Sequence, residues 1–233
     1  MAKDKTKKTE QGAAEKILEL IQKYRKIIFI VLIAAITGLI ASVVIFTVRN
    51  NMQESQLSKI DGYEDHFFEL MEFDAMIYNQ DVSWDRYSLV LELLDEVNDF
   101  QRSAFGFASA RAHSLAADIY FFMENWSEAE RSWLQAARGS RGTYFEPISI
   151  YNAAVAAEEQ GNIAAAIEHF NSVILLENNF TSAARAQFNI GRLEESRGDY
   201  NAALTAYRSL LGRWPNDTQW ANLAQSRIIA LTN

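Results

Sequence analysis

Residues 184–217 read ARAQFNIGRLEESRGDYNAALTAYRSLLGRWPND, and this stretch decides the fold. Apolar residues recur at helical spacing on both sides of the triplet that begins at Gly198. A glycine at the end of a helix can adopt the left-handed conformation that stops it, and Pro215 cannot continue the second run as a helix. Gly191 and Ala203 are the small residues that face each other across this turn, and Tyr207 follows one turn later. The stretch therefore predicts two closely packed helices joined by a tight turn.

The same pattern recurs upstream with a period near 34 residues. Residues 147–180 repeat the turn glycine at Gly161, without the closing proline. Residues 110–143 repeat the small and aromatic positions, but Glu124 stands where the turn glycine is expected. The pattern predicts three helical hairpins stacked side by side, with no strand between them.

These three units resemble the tetratricopeptide repeat, in which a small residue, a Gly-Asp-Tyr turn, an alanine and an aromatic recur at these offsets. The resemblance implies an all-α solenoid of helical hairpins whose first helices line a concave surface that binds other proteins. It also implies which side chains face that groove, since the family uses fixed positions of each first helix. The candidate protein-binding residues are Arg111, Phe121, Phe122, Tyr151, Val155, Glu158, Arg185, Phe188 and Arg192.

Two of these candidates leave alternatives open. Arg185 and Arg192 could grip a peptide carboxylate through charge-assisted hydrogen bonds. They could equally be surface arginines that pair with Glu194 or Glu195 on their own helix.

A different kind of segment lies near the N-terminus. Residues 27–48 read IIFIVLIAAITGLIASVVIFTV and hold no charged side chain. At about 1.5 Å per residue, such a helix spans roughly 33 Å, enough for the hydrocarbon core of a bilayer. The run is longer than the apolar region of a cleavable signal peptide and has no suitable small-x-small site at its end, so it predicts an uncleaved signal anchor.

The charges around this span predict its orientation. Lys23, Arg25 and Lys26 directly precede it, whereas Arg49 stands alone after it. The excess of basic residues on the N-terminal side predicts a cytoplasmic N-terminus and an exported C-terminal domain, which in a bacterium is periplasmic. The small residues Ala34, Gly38 and Ser42 share one face of the span and could let it pair with another helix.

The remaining segments complete the predicted layout. Residues 1–26 form a basic cytoplasmic segment, of which the first twelve are expected to be disordered. Residues 49–109 predict a helical spacer or a degenerate repeat, and residues 218–233 predict a helix that caps the last hairpin.

Composition and spacing exclude several classes of function. The net charge is −8, and after the basic N-terminus is set aside the residues from 50 onward carry about −13, which disfavours nucleic acid. Cysteine is absent, so thiol chemistry and disulfides are excluded. His66, His113 and His169 lie too far apart in sequence for a metal motif. We therefore expect no cofactor, no metal and no enzymatic activity.

The leading hypothesis is a membrane-anchored scaffold that binds peptide segments or helices of other proteins outside the cytoplasm, with possible self-association into a homo-oligomer. The layout is similar to that of the ancillary tetratricopeptide subunit of the bacterial Sec translocon, which implies a link to protein translocation or to periplasmic chaperones. The alternative is a structural component of an envelope-spanning secretion or motility machine.

Overall fold

The computed structural model describes the backbone of residues 2–72, 80–176 and 182–233, and the side chains of residues 22–72, 86–176 and 182–233. Within these ranges every secondary-structure element is a helix and there is no strand, as the sequence predicts. Residues 73–79 of the predicted spacer and residues 177–181 of the predicted second repeat lie outside the described part. The helices are α1 Ala2–Glu72, α2 Gln80–Gln101, α3 Gly106–Phe122, α4 Trp126–Gly139, α5 Phe145–Glu159, α6 Ile163–Leu175, α7 Ala183–Ser196, α8 Tyr200–Arg213 and α9 Thr218–Thr232.

The chain divides into two compact units, Met1–Glu54 and Ser55–Asn233. In the first unit, the apolar side chains from Ile27 to Val48 are exposed. Its hydroxyl groups are satisfied within the helix: Thr37 Oγ1 donates to the carbonyl of Ile33 at 2.7 Å, and Thr47 Oγ1 donates to that of Val43 at 2.9 Å. A helix with an apolar surface and internally satisfied polar groups is suited to a lipid environment.

Among the described residues, one helix is long and apolar enough to cross a membrane, namely the part of α1 from Gln22 to Glu72. The expectation that residues 1–12 are disordered is wrong, because α1 begins at Ala2. Lysine, glutamate, glutamine and alanine all have high helix propensity, and extending an existing helix is far easier than nucleating a new one. The polar segment therefore continues the helix of the apolar run.

The second unit is a solenoid of antiparallel helix pairs, α3/α4, α5/α6 and α7/α8. Each core layer joins one pair to the first helix of the next. For example, Phe170 of α6 packs with Tyr151 of α5 and Ile190 of α7, and Trp133 of α4 packs with Ala117 of α3 and Ala153 of α5. Such nearest-neighbour layers are the way repeat proteins build a core.

The two ends of the stack are covered by further helices. Ile60 and Phe67 of α1 and Val90 and Leu93 of α2 pack against α3 in one buried cluster. At the other end, α9 covers the last pair through Ala221 and Ala224, over the segment for which the sequence predicts a capping helix.

Candidate protein-binding groove

The turns inside the three pairs share one geometry, which positions the first helices relative to the second helices. Gly161 and Gly198 both have φ of +80°, which confirms their predicted left-handed conformation. Glu124 adopts φ of +58° at the equivalent position, although it lacks the freedom of glycine. The next residue in each turn is the N-cap of the second helix. Its side-chain oxygen accepts a hydrogen bond from the backbone N–H three residues later, and the three N-caps are Asn125, Asn162 and Asp199.

The third pair is packed so closely that a side chain at Gly191 would collide with its neighbour. A Cβ atom placed there would lie 2.4 Å from Cε1 and 2.7 Å from Cδ1 of the fully buried Tyr207. The ring of Tyr207 thus lies flat against the backbone of α7, and its hydroxyl donates to Glu195 Oε2 at 3.0 Å. The same tyrosine belongs to the core and to the surface lined by α7.

Ion pairs connect successive first helices on this surface. Both terminal guanidinium nitrogens of Arg192 in α7 donate to the carboxylate oxygens of Glu158 in α5, each at 2.6 Å. One repeat further on, Arg227 in α9 donates to both carboxylate oxygens of Glu195 in α7. The hydrogen bond from Arg227 lowers the pKa of Glu195, and the bond to Glu158 raises the pKa of Arg192. Carboxylates and guanidinium groups that stay ionised therefore alternate along the surface lined by α5, α7 and α9.

Aromatic rings lie beside the ion pairs. Phe188 packs between Tyr207 and Trp220, with ring centroids 5.5 Å and 5.4 Å away. The guanidinium group of Arg185 lies over two rings, 5.1 Å from the centroid of Tyr151 and 5.9 Å from that of Trp220. Aromatic residues and arginine are the types that most often anchor protein interfaces.

Between α7, α8 and α9 the surface opens into a cavity of about 430 Å³. Its lining combines an aromatic floor, a hydroxyl and both signs of charge, which suits a side chain or a short stretch of another polypeptide. Burial and the hydrogen bond to Glu195 raise the pKa of Tyr207 to about 12, so its hydroxyl keeps its proton at physiological pH. The cavity is lined by Phe188, Arg192, Glu195, Ser196, Tyr207 and Arg227.

The other candidate residues occupy different environments. Arg111 pairs with Asp61 at 2.6 Å and with Glu64 at 2.5 Å, both in α1. Phe121 packs against Trp126 and Trp133, Phe122 packs against Phe67, and Val155 packs against the second-pair core. Tyr151 is 7% exposed, and its hydroxyl accepts a hydrogen bond from Asn189 Nδ2 at 2.8 Å. Only Phe188 and Arg192 of the nine candidates line the cavity.

The alternative that pairs Arg185 and Arg192 with Glu194 or Glu195 does not match the contacts found. Arg192 reaches back to Glu158 in the preceding repeat, whereas Arg197 pairs with Glu194 at 3.5 Å. The alternative included only partners on the same helix. The stacking of repeats instead brings Glu158 of the preceding repeat close to Arg192.

Four cavity residues lie outside the nine candidates. The family register places Glu195 in the groove, but it does not mark Ser196, Tyr207 and Arg227. Tyr207 was assigned to the core, and Arg227 lies beyond the last repeat, where the family register gives no groove positions. The Arg192-to-Arg227 spacing of 35 residues, close to the repeat period, is the signal that could have found it.

The histidines lie in different environments on separate helices. His169 Nε2 lies 2.8 Å from Glu130 Oε1, between α6 and α4, and burial lowers the pKa of His113 in α3. Within the part of the chain whose side chains are described, no three His, Asp or Glu residues converge on a point that could hold a metal ion.

Comparison with known proteins agrees with this architecture. The family model described as tetratricopeptide repeat matches residues 114–179 and 151–218. A TPR repeat-containing protein of Treponema pallidum (strain Nichols) is 38% identical over 127 residues, a match that covers 54% of this chain and 52% of the relative. The matched region thus spans about half the length of that curated relative.

Solved structures that match the chain include a Rap protein complexed with Competence and Sporulation Factor, with a TM-score of 0.47 and 16% identity over 74% of this chain and 53% of that one. The apo form of RapI has a TM-score of 0.43 and 13% identity over 75% of this chain and 77% of that one. The family matches and the helix pairs together show that the chain carries tetratricopeptide repeats between residues 114 and 218.

Proposed function

We propose that residues 55–233 form a protein-binding module that the span at 27–48 holds at the outer face of the cytoplasmic membrane. The observation that supports this most directly is the cavity beside α7, where an aromatic floor meets two arginine–glutamate pairs. Tetratricopeptide repeats generally act as interaction scaffolds, and the lining here has the side-chain types that anchor protein interfaces.

The chemistry of the cavity indicates what kind of guest it takes. An apolar side chain of the guest would lie on Phe188, whose ring packs against the buried ring of Tyr207. A guest carboxylate could replace Glu158 on Arg192, because both partners are partly exposed and exposed ion pairs contribute only about 0.2–1 kcal/mol. We therefore expect a peptide segment or helix that presents an apolar residue next to an acidic one.

The charges flanking the span support this proposed position in the cell. Lys23, Arg25 and Lys26 before the apolar run favour a cytoplasmic N-terminus, and with that orientation the repeats of a bacterial protein would lie in the periplasm. A scaffold in this position would gather envelope proteins. The specific form of this proposal is that it acts beside the translocon or with periplasmic chaperones.

Site-specific photo-crosslinking in living cells tests the groove. A benzophenone amino acid at Ser196, which lines the cavity, should capture a discrete partner. The same group at Thr205, exposed on α8 outside the cavity, is the matched control. Phe188→Ala together with Arg192→Ala should abolish the Ser196 adduct, whereas Arg131→Ala, on a helix that does not line the cavity, should leave it intact.

Equal adducts at Ser196 and Thr205, or an adduct that survives the double substitution in a folded protein, would refute the groove assignment. Identification of the captured partner separates the two functional hypotheses. Translocon or chaperone subunits support a scaffold, whereas a stoichiometric component of a secretion or motility machine supports the structural alternative.

A further inference from the structure

Two arginines of α7, Arg185 and Arg192, have guanidinium groups near the proposed groove, and their surroundings differ. Arg192 is already paired, because both of its terminal nitrogens donate to the carboxylate of Glu158, each at 2.6 Å. A guest carboxylate would bind Arg192 only after this pair has separated. The side chain of Glu158 is 22% exposed, and a carboxylate that loses its partner in a largely buried place loses stability. The exchange at Arg192 is therefore unfavourable for Glu158.

Arg185 has no such pair to give up. Its side chain is exposed, and among the side chains that the structure describes no carboxylate lies within ion-pair distance of its guanidinium group. The group lies instead over two rings, 5.1 Å from the centroid of Tyr151 in α5 and 5.9 Å from that of Trp220 in α9. Cation–π contacts attract the guanidinium group without neutralising it. Arg185 therefore presents an uncompensated positive charge.

The tyrosine beside Arg185 does not neutralise this charge either. Burial raises the pKa of Tyr151, and the charge of Arg185 and the hydrogen bonds from Asn189 and Arg185 oppose this rise only in part. The phenol therefore keeps its proton and stays uncharged at physiological pH. A guanidinium group has several N–H donors in one plane, so a bond to the hydroxyl group of Tyr151 leaves other donors for a guest.

The two rings also hold the guanidinium group of Arg185 in place. An exposed arginine ordinarily loses rotamer entropy when a ligand immobilises it. At Arg185 this loss is smaller, because contacts with the helices on both sides of α7 already restrict the side chain. A planar fork of donors that is fixed in advance suits a planar acceptor with two oxygens, which is the geometry of a carboxylate.

The spacing along α7 sets the spacing of the two groups in the guest. Arg185 and Phe188 are three residues apart on one face of the helix, about 4.5 Å along its axis. Both contact the same ring, since the centroid of Trp220 lies 5.4 Å from that of Phe188. An extended guest advances about 3.3 Å per residue, so an acidic and an apolar residue one or two positions apart reach both sites. In a helical guest, residues three or four positions apart do so.

We propose that Arg185 determines the specificity of the groove: it binds the carboxylate of an aspartate or glutamate of the guest whose apolar neighbour lies on Phe188, while Arg192 stays paired with Glu158. This inference rests on the proposed function, because it names the chemistry of the guest in the same groove. The role of Arg192 is then to join α7 to α5 rather than to bind the guest.

Selection from a peptide library tests the proposal with the full chain in mild detergent. The probe is a phage-displayed library of random dodecapeptides, and the biotinylated chain is the target. Enriched peptides should carry an aspartate or glutamate one to four positions from an aromatic or aliphatic residue. Selection on Arg185→Gln should lose this acidic preference. Selection on Arg192→Gln, the matched control on the same helix, should keep it.

The affinity of one enriched peptide measures the effect. Fluorescence anisotropy gives the Kd of this peptide and of a second peptide in which the amide replaces the acidic side chain. On the unsubstituted chain the second peptide should bind about tenfold to hundredfold more weakly, as expected for the loss of a hydrogen-bonded charge pair. The two peptides should bind equally to Arg185→Gln, and the difference should persist on Arg192→Gln. Such a cycle isolates the contribution of the pair.

The outcomes separate this inference from the proposed function. If no peptide is enriched above the control without the chain, the groove does not bind peptides, and the proposed function fails together with the inference. If peptides bind and Phe188→Ala removes their binding, but their acidic preference is absent, survives Arg185→Gln or disappears in Arg192→Gln instead, the inference alone is overturned. Circular dichroism checks the folding of each variant. Arg185→Met, which keeps the apolar stem over the rings, replaces Arg185→Gln if that variant unfolds.

Discussion

Substitution of Gly191 by alanine should destabilise the repeat domain, although alanine is the better helix former. Replacement of a glycine inside a helix by alanine ordinarily stabilises by about 0.5–1 kcal/mol. At Gly191, however, the new methyl group would lie 2.4 Å from a ring atom of Tyr207, whose side chain is fully buried. Overpacking of this kind costs about 1–3 kcal/mol, so we expect a net loss of about 1–2 kcal/mol.

Gly62→Ala is the matched control, because Gly62 lies inside α1 in the second unit and its added Cβ has nothing within 4 Å. This variant should be stabilised by about 0.5–1 kcal/mol. Urea denaturation in mild detergent measures the free energy of unfolding of both variants, with the near-ultraviolet circular dichroism of the tryptophans as the signal. For a unit of this size, each kcal/mol corresponds to about 2–4 °C in Tm.

A third variant identifies the cause. Tyr207→Leu removes the ring, so Gly191→Ala should cost much less in that background than in the natural one, and the difference is a coupling free energy. If Gly191→Ala stabilises the domain as Gly62→Ala does, the close approach of α7 and α8 is not a constraint and the packing argument is refuted.

Three further predictions concern other residues. Burial and the charge of Glu64 raise the pKa of Asp118 to about 7. Between about pH 4 and about pH 7 the folded state therefore binds a proton that the unfolded state releases, so the free energy of unfolding should fall as pH rises through this range. In denaturation curves of Asp118→Asn, the free energy of unfolding should lack this dependence on pH. Glu124→Gly should stabilise the domain by about 0.5–1 kcal/mol in the same assay, because it relieves a left-handed backbone; no gain would mean that the turn is unstrained. A cysteine at Thr205 should react with a membrane-impermeant maleimide in cells with a permeable outer membrane, and labelling only after lysis would contradict the periplasmic placement.

The sequence predicts the local features of this fold well, because each depends on a few adjacent residues. The left-handed conformation of Gly161 and Gly198 follows from their place after a helical run. The small size of Gly191 predicts a close approach to the second helix, but the side chain nearest to it is that of Tyr207 and not the expected Ala203. The caps at Asn162 and Asp199 were not predicted, although both residue types favour that position.

The groove was harder to predict because its residues come from separate repeats. The partner of Arg192 is Glu158, 34 residues earlier, and this contact depends on how α5 and α7 lie side by side. Likewise, Arg227 belongs to the cavity only because α9 continues the row of first helices. Of the groove residues that the family register predicts, Phe188 and Arg192 line the cavity, whereas Phe121 packs beside the buried Trp133.

Tyr207 constrains how such a domain can acquire new partners. Its ring packs between α7 and α8, and its hydroxyl donates a hydrogen bond to Glu195 at the proposed binding surface. A substitution of this side chain would alter both the packing of the domain and the proposed binding surface. Ser196 and Arg227 also line the cavity but are not part of the core. In related proteins, substitutions that change the binding preference are therefore expected at these two positions before they occur at Tyr207.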